Sequence, residues 1–213
     1  MDPFVSLFTL LAALTLGAIS PGPSFLFVTR TSVAISRVDG VAAAFGMGLG
    51  AAIVCSLALV GVRAIAAQVE WLFIAFKLAG GLYLLYLAWS LWRGAATPIV
   101  TPQSGVPRPT AGLIRSFLLA LATQLSNPKT VLVIGGIFAA LFPAHVPAWM
   151  YFAIPPIDFV LEGSWYVFVA VAMSSATPRM LYIRARSGID RTAGCMLGVL
   201  GFRLVWEGAK DVL

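Results

Sequence analysis

The chain has 213 residues, 60% of them hydrophobic and only 10% Asp, Glu, Lys or Arg, where soluble domains carry about 25% charge. With a mean hydropathy of +0.96, this excludes a soluble globular domain and leaves room for about six membrane spans of roughly 20 residues each. Lys and Arg exceed Asp and Glu by 14 to 8, but the basic residues fall in short stretches between apolar runs, the pattern of cytoplasmic loops and not of a nucleic-acid-binding face.

Met1-Asp2-Pro3 has no basic leader, and the uncharged run from Phe4 to Thr29 is too long for a signal segment, so it reads as the first span. Gly40 to Val62 and Trp71 to Trp92, the latter interrupted by Lys77, are the second and third. From Arg93 to Gly112, Gly94, Pro98, Pro102, Gly105, Pro107 and Pro109 rule out a continuous helix and mark a linker. Leu113 to Phe142 is the fourth span, with Arg115 at its edge and Lys129 inside it. Pro143 and Pro147 then bracket a turn before the fifth, Ala148 to Met173. A basic loop with Arg179, Arg184, Arg186 and Arg191 precedes Thr192 to Val212, the sixth and least apolar span.

The expected fold is an all-α integral membrane protein of six transmembrane helices. Residues 1–92 and 113–213 form two three-helix halves joined by a cytoplasmic Pro/Gly-rich linker, 93–112. An odd number of spans per half makes the second half enter the membrane the other way up, the arithmetic of an inverted repeat. Arg30, Arg37, Arg93, Arg108, Arg115, Arg179, Arg184, Arg186 and Arg191 fall after odd-numbered spans, against Arg63 and Lys210 on the other side. The positive-inside rule then puts both termini on the non-cytoplasmic side of a multi-pass protein.

Both opening spans contain a helix break: Ser20-Pro21-Gly22-Pro23 in the first and Ser126-Asn127-Pro128-Lys129 in the fourth. Proline has no N–H and leaves the carbonyl four residues back without a helical partner, so the carbonyls of Gly17, Ile19 and Gln124 are expected to be free. Such groups are tolerated at membrane depth only when buried in protein or lining a polar cavity, so the paired breaks mark a candidate site. Each break also opens a new half-helix. Ser20 and Asn127 are placed to cap it, Pro23 and Pro128 sit near its first positions, and its positive dipole end suits an anionic group.

Lys129, costly inside a span, is expected to meet a substrate carboxylate or an acidic side chain, the plainer alternative being that it ties down a helix end. Asp158 and Glu162, four residues apart, share a helical face, and repulsion between like charges in a low dielectric makes them candidate proton carriers. Pairing with Lys77, Lys129 or Arg203 is their structural alternative. Arg203 and Glu207, of opposite sign at the same spacing, are expected to neutralise each other.

Gly46, Gly48 and Gly50, Gly80-Gly81, Gly135-Gly136, and Gly194, Gly198 and Gly201 read as close-packing positions. Trp71, Trp89 and Trp92 read as interfacial anchors, and Cys55 and Cys195 as packing residues. His145 is the only histidine, and no hydrolase, nucleotide or metal motif occurs, so neither an enzyme nor a bound cofactor or metal is expected.

Ser20-Pro21-Gly22-Pro23, the Gly-rich second span, Lys77 with Gly80-Gly81 and Tyr83-Leu84, and Asn127-Pro128-Lys129 together resemble the LysE/RhtB family of amino-acid exporters. The resemblance runs essentially end to end, although many members follow the first motif with Asn where this chain has Ser24. It implies a protein of the bacterial inner membrane that exports amino acids or related small metabolites, driven by an ion gradient; the Asp158 and Glu162 pair makes H⁺ the expected coupling ion. On the residues alone, the expected site lies between broken spans one and four and comprises Ser20, Pro21, Gly22, Pro23, Asn127, Pro128 and Lys129, with Asp158 and Glu162 coupling the proton. Rival readings are an accessory or assembly protein whose Gly-rich faces bind a partner, homodimerisation included, and an exporter of metal or inorganic ions.

Overall fold

In a computed structural model of the chain, residues 3–20, 22–68, 70–94, 112–141 and 147–211 are described. They form α1 (Pro3–Ile19), α2 (Pro23–Ala34), α3 (Arg37–Gln68), α4 (Glu70–Gly94), α5 (Leu113–Leu125), α6 (Pro128–Leu141), α7 (Ala148–Met173) and α8 (Ala176–Lys210). The fold is all-helical. The pair α1 and α2 bends by 54° at its break and the pair α5 and α6 by 55°. Taken as single rods, these pairs and the four continuous helices make the six rods expected. Arg37–Gly61, Ala148–Met173 and the two bent pairs are each long and apolar enough to cross a bilayer. Most of the linker, 95–111, and the turn at 142–146 lie outside the described residues.

Several boundaries differ from expectation, among them the ends of the first two rods, at Ala34 and Gln68, and two helix starts with a local cause. The second rod begins at Arg37 and not Gly40, because the Ser36 side chain caps it. The Asp39 backbone N–H donates to Ser36 Oγ at 3.0 Å, and the Ser36 hydroxyl donates to Asp39 Oδ2 at 2.6 Å. Ser116 of α5 donates to the other Asp39 oxygen at 2.8 Å, which ties α3 to α5. The expected basic loop before Thr192 is instead helical, since α8 starts sixteen residues earlier, at Ala176. Its Arg, Leu, Met and Ala residues are strong helix formers, and Pro178 lies in the first turn, where it does no harm.

The surface is unlike that of a soluble protein, and polar groups lie within a mainly apolar core. Phe8, Leu57, Ile114, Phe152 and Val199 face outward, while Ser24, Asp39, Gln124, Asn127, Asp158, Glu162 and Asp190 are buried. An apolar exterior around polar interior groups is what a lipid solvent selects. Trp71, Trp89 and Trp92 are exposed as expected, with the Arg93 guanidinium 4.7 Å from the Trp89 ring centre.

Glycines set the closest approaches. A Cβ on Gly46 would lie 2.3 Å from the Phe117 carbonyl of α5, and one on Gly48 would lie 3.0 Å from the Gly163 Cα of α7. Gly46, Gly48 and Gly50 of α3 thus serve two neighbours at once, the first and last facing α5 and the middle one α7. Between α4 and α8, a Cβ on Gly201 would meet the Gly81 carbonyl at 2.8 Å. Lys77 Nζ and Asp211 Oδ2, 2.7 Å apart, close the far end of that pair, and Arg203 pairs with Glu207 at 2.7 Å as its spacing predicts.

Gly201→Val is therefore expected to destabilise the protein by about 1–3 kcal/mol through overpacking, read as a lowered midpoint of thermal unfolding in detergent. Gly188→Ala, where a Cβ meets nothing within 4 Å, should hold or raise that midpoint.

Candidate functional site

The two breaks meet. A cavity of about 20 Å³ is lined by Gly17, Ser20 and Gly22 of the first break, Asn127 and Lys129 of the second, and Glu162 of α7. Ser24, Thr130 and Tyr166 also reach it. That volume holds about one water molecule and no amino acid. The N-termini of α2 and α6 border this space, so two sets of backbone donors and two positive dipole ends converge there.

The second break is built as expected. Asn127 caps α6 with Pro128 in the first helical position, and Asn127 Oδ1 accepts the Lys129 backbone N–H at 3.0 Å. The first break differs: α2 is capped by Gly22, not Ser20, and has no side-chain cap bond. Ser20 instead closes α1, its N–H donating to the Leu16 carbonyl at 3.2 Å. Its hydroxyl is buried with no partner among the described residues. Pro21 lies outside the described residues.

The freed carbonyls are redistributed. Lys129 Nζ donates to the Ser20 carbonyl and, at 3.4 Å, to the Gly17 carbonyl, so the ammonium from one break caps the helix end of the other. Gln124, expected to leave a free carbonyl, does not, because the turn refolds and Asn127 N–H donates to it at 3.2 Å. Gly22 makes room for this arrangement: a Cβ there would lie 3.0 Å from Lys129 Cδ.

Sequence reading passed over the side chains of Ser24 and Gln124, which join the two breaks to α7. Asn127 Nδ2 donates to Ser24 Oγ at 2.9 Å, the Ser24 hydroxyl donates to Gln124 Oε1, and Gln124 Nε2 donates to Glu162 Oε2 at 2.8 Å. The available signal was a Gln in an apolar run four residues before a proline, a position that demands a partner. Of the two carboxylates, Glu162 reaches the cavity. Asp158 does not line it; its side chain is buried, and neither oxygen has a hydrogen-bond partner among the described residues. Pro23 and Pro128 flank the breaks without lining the cavity. Asp190 of α8, also unremarked in the sequence, is buried and within electrostatic reach of Lys129.

The chain matches the LysE type translocator family over residues 15–208. It is 32% identical to the Escherichia coli K12 uncharacterized membrane protein YahN, over 99% of this chain and 94% of that one. It is 30% identical to a threonine efflux protein of Salmonella typhi, over 93% of this chain and 96% of the relative. A leucine efflux protein of Klebsiella pneumoniae is 24% identical, over 84% and 83% of the two chains. No solved structure matches.

Because Asn127 both caps α6 and holds Ser24, Asn127→Ala is expected to cost about 1–2 kcal/mol, measured by denaturant unfolding in micelles. A loss within 0.3 kcal/mol of zero, about half of RT, would mean that the cap adds nothing.

Proposed function

We propose that this chain, which belongs to the LysE type translocator family, is a secondary transporter that exports an amino acid or a related metabolite across the bacterial inner membrane. The observation that carries the reading is the Lys129 ammonium seated on the Ser20 and Gly17 carbonyls inside a buried cavity between two helix breaks. Such a cradle suits a primary ammonium. A substrate amino group takes the place of Lys129 on the carbonyls of α1. Lys129, released, then meets the substrate carboxylate together with the N-terminal ends of α2 and α6. The relatives named as threonine and leucine efflux proteins support the substrate class.

The cavity is too small for that substrate, so binding requires the two breaks to separate. In our reading, residues 1–92 and 113–213 are inverted halves that rock against each other and open the site to one side at a time. Asp158 and Glu162 take up a proton on one side and release it on the other, coupling export to the proton gradient by antiport. The linker 93–112 lies on the cytoplasmic side and both termini on the opposite side, which follows from the Arg distribution.

Purified protein in liposomes, given a mixed amino-acid pool with and without an imposed pH gradient, tests the reading. Gradient-dependent accumulation of one or a few amino acids is expected. Lys129→Ala should lower it by about tenfold or more, the size of one lost charge-assisted contact. Accumulation equal to wild type in that variant would remove Lys129 from the site.

A further inference from the structure

The buried chain from Asn127 to Glu162 has a direction set from one end. The Lys129 backbone N–H can only donate, so Asn127 must turn its carbonyl oxygen to it and its NH₂ to Ser24. Ser24 has a single hydrogen, which goes to Gln124 Oε1, and this leaves the Gln124 NH₂ for Glu162. Each bond dictates the next, and the series ends on a donor that needs an acceptor. A carboxylate only accepts, and a charge-assisted bond is roughly twice as strong as a neutral one. A protonated Glu162 offers Gln124 a weaker acceptor.

We propose that Ser24 and Gln124 are positioning residues that couple the protonation of Glu162 on α7 to the cap of α6 at the second break. The inference rests on the transporter reading for its purpose, although the coupling itself is independent of any substrate. A proton on Glu162 slackens Gln124, then Ser24, then the hold of Asn127 on the first turn of α6. Lys129 is the second residue of that turn, and its ammonium is the bolt between α6 and the end of α1. Proton uptake thereby loosens the contact that holds the two breaks together, and by linkage opening the breaks alters proton affinity at Glu162 by the same factor.

The other charged and titratable groups facing Glu162 act on it directly and bypass the relay. Among the described residues they are Asp158 on its own helix, Tyr166 of the same helix, which lines the same cavity, Lys129 of α6 and Cys55 of α3, with Asp190 of α8 acting on Lys129. Ser24 is therefore the telling position. It carries no charge and does not bond to Glu162 itself, and the hydrogen-bonded path from Ser24 to Glu162 runs through Gln124.

Infrared titration of the reconstituted full chain reads Glu162 as the carboxyl band absent from Glu162→Gln. Gln124→Met removes a bond that serves the ionised form, so its midpoint should move to higher pH by about one unit, a tenfold change in proton affinity. Ser24→Ala should move it the same way by less. Thr123→Val, whose native hydroxyl bonds the Leu119 carbonyl of its own helix, should leave it in place. A wild-type midpoint in Ser24→Ala overturns the coupling, and that variant decides the matter even if Gln124→Met fails to fold. The pH profile of amino-acid exchange, taken on the same vesicles, separates the two claims. Shifted midpoints in protein that carries no amino acid uphold the relay against the exporter reading, and exchange with unshifted midpoints does the reverse.

Discussion

The structure depends on what becomes of backbone groups at two helix breaks inside the membrane. Lipid offers them no partners, so every carbonyl and N–H released by Pro23 and Pro128 has to be satisfied within the protein. The solution is reciprocal. The second break lends its Lys129 ammonium to the carbonyl end of α1, and it lends its Asn127 amide, through Ser24, to the side chain of Gln124. Neither break is complete alone, and the cavity between them is the place where those debts are settled.

Helix packing supplies the rigidity that this arrangement needs. With glycine at 46, 48 and 50, α3 lies close to both α5 and α7, which brings Gln124 and Glu162 within hydrogen-bonding distance. A Cβ at Gly50 would lie 2.7 Å from the Gln124 side chain. The small-residue stripe therefore does more than join helices: it positions a buried polar chain that a wider gap would break. At the end of the same helices, Ser116 anchors α5 to α3 through one hydrogen bond to Asp39, whose other carboxylate oxygen is held by Ser36.

The chain belongs to a translocator family, and the cavity between its two breaks has the size of one water, so the transport we propose requires that cavity to open. In the exporter we propose, the closed cavity held by one lysine between two bent rods is the element that alternating access has to open. Carbonyl oxygens facing an ammonium, the contact we propose for the substrate amino group, are met in this structure by Lys129.

Much of this was legible in the residues alone. Composition determined that the chain lives in a membrane, because 60% hydrophobic residues cannot be buried by a chain of this size in water. Proline and its neighbours determined where the first and fourth rods break, and Asn127 where α6 begins, since these follow from local stereochemistry. The starts of α3 and α8 differ from expectation because charge was taken as a boundary, whereas a helix end is decided by its backbone hydrogen bonds. Only the tertiary structure decided that Lys129 reaches the opposite break, that Glu162 and not Asp158 enters the cavity, and that Ser24 and Gln124 bridge them. Those contacts join residues up to 112 positions apart, and nothing in the local sequence records which way a side chain on one helix meets another.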